Sequence, residues 1–284
     1  MKILITGANG QLGKDVVSLL EETTPYEIYP LTKHDLDISD EIAVNKMVQE
    51  IQPNWILHCA AYTKVEDAED NGNILNWKIN KEGSAYISSS GNNVHANLIY
   101  ISTDYVFDGT KKGQYNTSDK TNPINQYGAA KRAGEEEIVK YTPNAHIIRT
   151  SWVFGEYGHN FVYTMLNLAK KLDTLKVVND QYGRPTYTKD LAAFMLYIIE
   201  NNIPGGIYHF SNEDTATWYD FAKEILKNER VNIIPVDSSE FPQKAKRPQH
   251  SVMSLDKVKD TGFSIPTWKN ALDRFMKNMA KMKG

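Results

Sequence analysis

The sequence predicts an α/β fold, a doubly wound parallel sheet with a smaller α/β lobe, and three observations carry that prediction. Apolar strand-like runs alternate with helical patterns through the first half of the 284 residues, and such alternation implies parallel strands with helices on both faces. The first run leads at once into a glycine loop, Thr6-Gly7-Ala8-Asn9-Gly10-Gln11-Leu12-Gly13. After residue 150 the alternation turns irregular, so the second half is expected to form the lobe and to return to the main sheet.

The elements follow in order. Lys2-Ile3-Leu4-Ile5 is short, apolar and β-branched, as a buried strand requires. Gly7 permits a tight turn, Gly10 leaves room for a pyrophosphate to approach the backbone, and Gly13 lets the next helix lie close to the strand. That helix, 14–22, carries an apolar stripe of Val16, Val17, Leu19 and Leu20. Its N-terminus offers unpaired N–H groups and the positive end of the helix dipole to phosphates. The glycine spacing is G-x-x-G-x-x-G, one residue longer between the first two glycines than G-x-G-x-x-G. Further strands are expected at Glu27–Leu31, Trp55–His58, 98–102 and His146–Thr150, with helices near Glu41–Ile51, 77–92 and 131–140. In a Rossmann-type sheet of this kind, ligands bind beyond the carboxyl ends of the strands. Gly7, Ala60-Ala61-Tyr62, Thr103 and Thr150-Ser151-Trp152 all fall there.

Beyond residue 150, helices are expected at 161–171, 217–228 and 272–282, strands at 176–178 and 206–210, and a basic, proline-containing loop at 241–251. Residues 1–150 with about 189–212 are expected to form a dinucleotide-binding domain. Residues 151–188 and 213–284 are expected to form a smaller substrate-binding lobe.

Composition narrows the class. A hydrophobic fraction of 41% with 24% charged residues is that of a soluble globular protein. A net charge of -3 argues against nucleic acid or an anionic membrane surface as the main partner. The single cysteine, Cys59, excludes an intrachain disulfide and leaves no basis for a cysteine zinc cluster. The N-terminus enters a strand without a signal-like region, and no apolar stretch reaches membrane-spanning length. Cytoplasm is the expected compartment.

The chemistry is expected from Thr103, Tyr127 and Lys131. Tyr127 and Lys131 are four apart, so a helix places them on one face. Such pairs alone are common on solvated helix faces; the glycine loop upstream and Thr103 at a strand end give this one its meaning. A tyrosine hydroxyl with a reference pKa of about 10 is a poor proton shuttle at neutral pH, and a nearby ammonium is expected to lower it. Lys131 is also placed to bond a nicotinamide ribose. Thr103 is placed to polarise a carbonyl while Tyr127 protonates it and a dinucleotide carries the hydride.

The second strand ends Pro30-Leu31-Thr32-Lys33-His34. Thr32 and Lys33 suit a 2′-phosphate, while Asp35 and Asp37 come slightly late for a ribose 2′-hydroxyl. NADPH is therefore the expected cofactor, with NADH also used. Tyr105 and Trp152 sit just past strand ends, where an aromatic face either packs on a sugar or base or belongs to the core. Arg247, with Lys244 and Lys246, either meets a diphosphate or forms a solvated basic loop. Asp37 either lines the cofactor or caps the helix that begins near Asp40.

The chain resembles the extended short-chain dehydrogenase/reductase superfamily, and within it the dTDP-4-dehydrorhamnose reductase family, over nearly its whole length. The resemblance rests on Cys59-Ala60-Ala61-Tyr62-Thr63-Lys64-Val65-Glu66-Asp67-Ala68-Glu69, on the highly specific Thr103-Asp104-Tyr105-Val106-Phe107-Asp108-Gly109, and on Pro123-Ile124-Asn125-Gln126-Tyr127-Gly128. It continues through Arg149-Thr150-Ser151-Trp152-Val153-Phe154-Gly155, Asn160-Phe161, Asp180-Gln181-Tyr182-Gly183-Arg184-Pro185-Thr186 and Arg247-Pro248. It implies reduction of the C4 keto group of dTDP-4-dehydro-β-L-rhamnose, with Thr103, Tyr127 and Lys131 catalytic. It implies a cofactor lining of Gly7, Gly10, Gln11, Leu12, Gly13, Asp37, Ile38, Ala60, Ala61 and Thr63. Val65, Thr103, Tyr105, Trp152, Asn160, Arg184 and Arg247 would then line a dTDP-sugar. Cys59 stands where the family often has asparagine, so amide hydrogen bonds are lost there. Some members dimerise through a metal held by acidic residues; Asp15 and Asp190 would be remnants of such a site, and no required metal is expected. The chain is expected to be a monomer or homodimer.

Two other classes fit part of the pattern. One is another nucleotide-sugar reductase, epimerase or dehydratase on the same fold. The other is a non-catalytic dinucleotide-binding regulator, like the regulatory subunit of methionine adenosyltransferase, against which the intact Thr103, Tyr127 and Lys131 set argues.

Overall fold

A computed structural model describes residues 1–283. The central sheet begins with β1 (Lys2–Thr6), β2 (Glu27–Leu31), β3 (Trp55–His58), β4 (Asn97–Thr103) and β5 (His146–Thr150), and its sixth strand is Gly206–His209. All six run parallel. From the edge opposite β2 the order is Gly206–His209, β5, β4, β3, β1, β2. The strand order reverses between β1 and β3, which opens a crevice at their carboxyl ends.

Both faces of the sheet are covered, which is why its strands are continuous apolar runs rather than alternating ones. Successive side chains leave a strand on opposite faces. Ile3 and Ile5 thus join one apolar cluster with Val16 and Leu20 of α1 (Gln11–Thr23), while Leu4 joins the other with Val44 and Val48 of α2 (Glu41–Ile51). The next helical run comprises α3 (Asn73–Trp77), a π-helical stretch, Lys78–Gly83, and α4 (Ser84–Asn93). The helix expected at 77–92 thus starts earlier and carries a wider turn. There Asn80 donates to the Tyr62 carbonyl at 2.9 Å and accepts from the Tyr62 N–H at 3.0 Å, tying the π turn to the chain beyond β3.

α5 (Gln126–Tyr141) starts five residues before the expected helix, because the Asn125 side chain accepts from Gly128 N–H and caps it. The second half contributes β6 (Val153–Phe154), α6 (Phe161–Ala169), β7 (Thr174–Val178), β8 (Tyr182–Gly183), β9 (Thr186–Tyr187), α7 (Thr188–Glu200) and β10 (Gly206–His209). It continues with β11 (Ala216–Thr217), α8 (Trp218–Ile225), β12 (Asn232–Val236), α9 (Asp256–Lys259) and α10 (Trp268–Lys283). Leu191, Phe194 and Ile198 of α7 pack with α1 under the main sheet. A separate apolar cluster joins Phe154, Val162, Tyr187, Phe221 and Phe275. Its edge is the parallel pair β7 and β12; β12 carries no strand expectation in the sequence. Among the described residues, no helix is long and apolar enough to cross a membrane.

Candidate active site

A cleft of about 710 Å³ opens at the carboxyl ends of β1, β3, β4 and β5. Its wall brings together Gly7, Gly10, Gln11, Leu12, Gly13, Lys33, Asp37, Ile38, Ala60, Ala61, Thr63, Val65, Thr103, Tyr105, Tyr127, Lys131, Trp152 and Arg247. Of the residues expected at the site, Thr32, Asn160 and Arg184 are not part of that wall.

The glycine loop is shaped by close backbone approach. Gly7 has φ +67°, and a Cβ there would lie 2.7 Å from the Ala60 nitrogen. A Cβ on Gly13 would lie 2.1 Å from the Gly7 carbonyl oxygen. Neither overlap can be relieved by a rotamer change, so both positions require glycine. α1 has Gly10 as its N-cap, no side-chain cap and no acidic residue in its first turn. Its leading N–H groups are therefore directed at the cleft without an internal carboxylate to satisfy them.

Asn160 acts one step back from the cleft. Its Oδ1 accepts from Tyr163 N–H and caps α6, while its Nδ2 donates at 2.8 Å to both Gln11 Oε1 and the Gly155 carbonyl. Its bonds hold Gln11, and it borders a second cavity beside the cleft. Arg184 is also displaced from the expected role: Nη1 donates to the Met253 carbonyl at 2.8 Å, within the packed seam between β8 and residues 250–254. Asp37 is not the helix cap. Asp40 caps α2 by accepting from Ala43 N–H, whereas Asp37 closes a turn by accepting from the Ser39 N–H and hydroxyl. Those Ser39 bonds hold the Asp37 carboxyl below the usual range. The Thr32 hydroxyl, one of the two groups suited to a 2′-phosphate, donates to Asp35 at 2.6 Å, and Lys33 is the one of the pair that lines the cleft.

The residues expected to react meet at the end of β4. Thr103 Oγ1 accepts from Tyr105 N–H and donates to Asp104 Oδ1, both at 3.1 Å. Asp104 is buried, and Ser251 donates to its other oxygen at 2.6 Å. Burial pushes its carboxyl up to about 6 against the pull of these hydrogen bonds. Tyr127 opens α5, and Gly128 behind it lets the helix meet the turn after β4: a Cβ there would lie 2.1 Å from the Tyr105 carbonyl oxygen. Lys131 is buried, donates to the Ile101 carbonyl at 2.7 Å and lies 4.1 Å from the centre of the Tyr100 ring.

The acidity of this pair departs from expectation. Lys131 does not pull the Tyr127 phenol down. Burial raises it above its ordinary value, the Asp104 charge raises it further, and a hydrogen bond with Thr103 opposes them. Burial meanwhile lowers Lys131 to about 7, against the opposing charge of Glu135. Desolvation is the largest influence on both groups.

Trp152 and Trp218 add aromatic rings to the cleft wall. Trp152 adopts φ +48°, and its ring lies over Gly183, where a Cβ would meet it at 2.6 Å. It stacks on Trp218 at 3.6 Å between centroids and 12° between planes. Trp218 lines the cleft but carries no site expectation; helical periodicity marked it only as part of an apolar face. His159 is a further cleft residue with no site expectation, and Asp104, the acidic neighbour of Thr103, lines the cleft as well. A second cavity of about 680 Å³ shares His159, Trp218 and Arg247 with the first and extends between Phe161, Val177, Gln181 and Phe241.

Arg247 arrives on a segment tied across the cleft. Glu66 accepts from Lys244 N–H at 2.9 Å, Ala245 N–H at 3.3 Å and Arg247 Nη2 at 3.1 Å. Lys244 Nζ pairs with Asp70. Asn125, which caps α5, also donates to the Lys246 carbonyl at 2.9 Å.

Asp190 is engaged by Arg274, whose Nη1 and Nη2 donate to its two oxygens at 2.8 and 2.6 Å. Asp15 is buried, with its carboxyl pushed up to about 6 by burial. Among the described residues, no group of three or more His, Cys, Asp or Glu is placed to hold a metal ion. Cys59 lines the cleft as a thiol that burial pushes up to about 12.

Residues 1–281 match the family model described as the RmlD substrate binding domain. The chain is 39% identical over 285 residues to the dTDP-4-dehydrorhamnose reductase of Aggregatibacter actinomycetemcomitans, covering 95% of this chain and 97% of that one. Its structure is similar to the crystal structure of a dTDP-4-dehydrorhamnose reductase from Clostridium acetobutylicum, with a TM-score of 0.95, 40% identity and coverage of 99% and 100%. It is similar as well to the Bacillus anthracis dTDP-4-dehydrorhamnose reductase crystallised with NADP, at TM-score 0.92, 42% identity and coverage of 98% and 99%.

Proposed function

The chain belongs to the RmlD substrate binding domain family, that of the dTDP-4-dehydrorhamnose reductases, and from that premise we propose that it reduces the C4 keto group of dTDP-4-dehydro-β-L-rhamnose with NADPH to give dTDP-L-rhamnose. One observation carries the reading: Thr103, Tyr127 and Lys131 share a cleft with a glycine loop whose helix N-terminus is uncapped.

Residues 1–150 with about 189–212 serve as the dinucleotide-binding domain, and 151–188 with 213–284 as the substrate-binding lobe. The cradle fits a dinucleotide, since side chains at Gly7 and Gly13 would collide with backbone and the α1 N-terminus favours an anion. Gly7, Gly10, Gln11, Leu12 and Gly13 hold the pyrophosphate. Asp37, Ile38, Ala60, Ala61 and Thr63 line the adenosine and nicotinamide ends, and Lys33 meets a 2′-phosphate. The NADP complex of the Bacillus anthracis relative supports that cofactor; NADH serves as well. When bound, the nicotinamide supplies the hydride.

Thr103 donates a hydrogen bond to the keto oxygen and polarises it. Tyr127 gives its proton to the same oxygen as charge develops there. Lys131 bonds the ribose and stabilises the phenolate that remains. A phenol raised by burial suits this order, since it holds its proton until a stronger base forms beside it. Val65, Tyr105, Trp152 and Trp218 enclose the sugar, Arg247 meets the diphosphate, and the base lies in the second cavity.

The test is NADPH consumption by purified protein given freshly generated dTDP-4-dehydro-L-rhamnose, with Tyr127→Phe alongside. Oxidation yielding dTDP-L-rhamnose, reduced ~10³-fold in a mutant that still binds NADPH, is expected. A protein that binds NADPH but leaves this substrate untouched overturns the reading.

A further inference from the structure

Behind the reactive set lies a buried charge cluster that the reaction scheme does not use. Glu135 lies one helical turn beyond Lys131 and two beyond Tyr127 on α5, and it is not part of the cleft wall. It is 5% exposed, and Arg149 of β5 is 3% exposed. The two form a bidentate pair: Arg149 Nε donates to Glu135 Oε1 at 2.9 Å, and Nη2 donates to Oε2 at 2.7 Å. Ser102 Oγ donates to Oε1 at 2.5 Å. Ser102 and Arg149 are register partners on adjacent strands, and the next pair along is Thr103 and Thr150. Arg149 Nη1 also lies 3.5 Å from His209 Nε2 on β10.

A buried ion pair is a poor device for stability, because desolvation offsets most of its attraction, and its best-attested use is to fix a register. The register fixed here is that of α5 on β4. Lys131 bonds the carbonyl of Ile101, Glu135 bonds Ser102, and the next residue on the strand is Thr103. We infer that Glu135 is a positioning residue for the reaction, locking the strand end that presents Thr103 against the helix that presents Tyr127 and Lys131.

The inference rests on the proposed roles of those three residues. It gives Glu135 a second effect through its charge. Lys131 is faced by Glu135 on its own helix, by His58 and Cys59 at the end of β3, and by Tyr100 of β4. Glu135 is the largest influence holding its ammonium against desolvation. Loss of the carboxylate therefore drives the Lys131 pKa lower still.

Two variants separate positioning from mere folding. Ser102→Ala cuts the tether and keeps the ion pair. Glu135→Gln combined with Arg149→Met removes both charges together, so that neither remains buried alone. Both are expected to bind NADPH normally and to keep the substrate KM, with kcat reduced ~10-fold in the first and ~100-fold in the second. In the second, the alkaline limb of the kcat–pH profile, where Lys131 loses its proton, is expected to move down by ~1 pH unit. A structural role alone moves no limb. Near-normal kcat and an unmoved limb in folded, NADPH-binding variants overturn the inference. Lys131→Met is assayed beside them: if it retains turnover, the assignment of the reactive set fails, which is a different result from failure of Glu135.

Discussion

The indole of Trp152, held in a left-handed backbone conformation, lies flat on the indole of Trp218 at 3.6 Å. One ring comes from the turn after β5 and the other from the start of α8, so the stack forms only when α8 is packed against that turn. Trp218 also borders both cavities. Trp218→Ala is expected to raise the substrate KM ~10-fold, since stacking and burial of an indole are both lost, with the NADPH dissociation constant unchanged. Steady-state kinetics with fluorescence titration of NADPH checks this. A change confined to NADPH binding contradicts the assignment.

Arg247 pairs with Glu66 at 3.1 Å and borders both cavities. Arg247→Ala is expected to raise the substrate KM ~30-fold and to alter kcat less than ~3-fold, as befits a contact equally strong in ground and transition states. A loss confined to kcat rules out the diphosphate contact.

Lys33 lines the cleft just beyond β2. Removing its charge is expected to weaken NADPH ~10-fold and NADH less than ~2-fold, because only the former carries a 2′-phosphate. Parallel titrations of Lys33→Ala with the two nucleotides decide the matter, and equal losses remove the 2′-phosphate role.

The buried Asp104 carboxyl, pushed up to about 6, binds its proton more tightly in the folded chain than in the unfolded one. Between about pH 4 and 6 the folded state then holds the extra proton, so this group's contribution falls as pH rises through that window. Asp15, also raised to about 6, acts with the same sign. Asp104→Asn is expected to add on the order of 2 kcal/mol of stability at pH ~7 and little at pH ~4. Urea unfolding at the two pH values measures it, and an equal effect at both disproves the link to titration.

The parts of the site visible in the sequence are those set by local geometry. Gly7 and Gly13 are dictated by contacts within one turn and its neighbouring strand, and Tyr127 and Lys131 by helical spacing. Asn160 and Arg184 lie off the wall of the first cleft because their direction depends on partners 149 and 69 residues away, Gln11 and Met253, and Asn160 borders the second cavity instead. Trp218 was missed because an apolar stripe does not distinguish a ring that faces the core from one at the rim of a cleft. The Tyr127 phenol went the other way from expectation because charge separation is legible in a pattern and burial is not. In the fold, the second edge of the lobe escaped notice because β12, Asn-Ile-Ile-Pro-Val, carries a proline that argues against a strand. It is tolerated there, with β12 paired to β7 alone.

Asn125 holds two things at once, the first turn of the helix that bears Tyr127 and the Lys246 carbonyl beside Arg247. Displacing residues 244–247 would therefore pull on the cap of the helix that bears Tyr127. Exchanging residues 244–247 is thus expected to loosen the first turn of that helix unless Asn125 is given a new anchor in the same design.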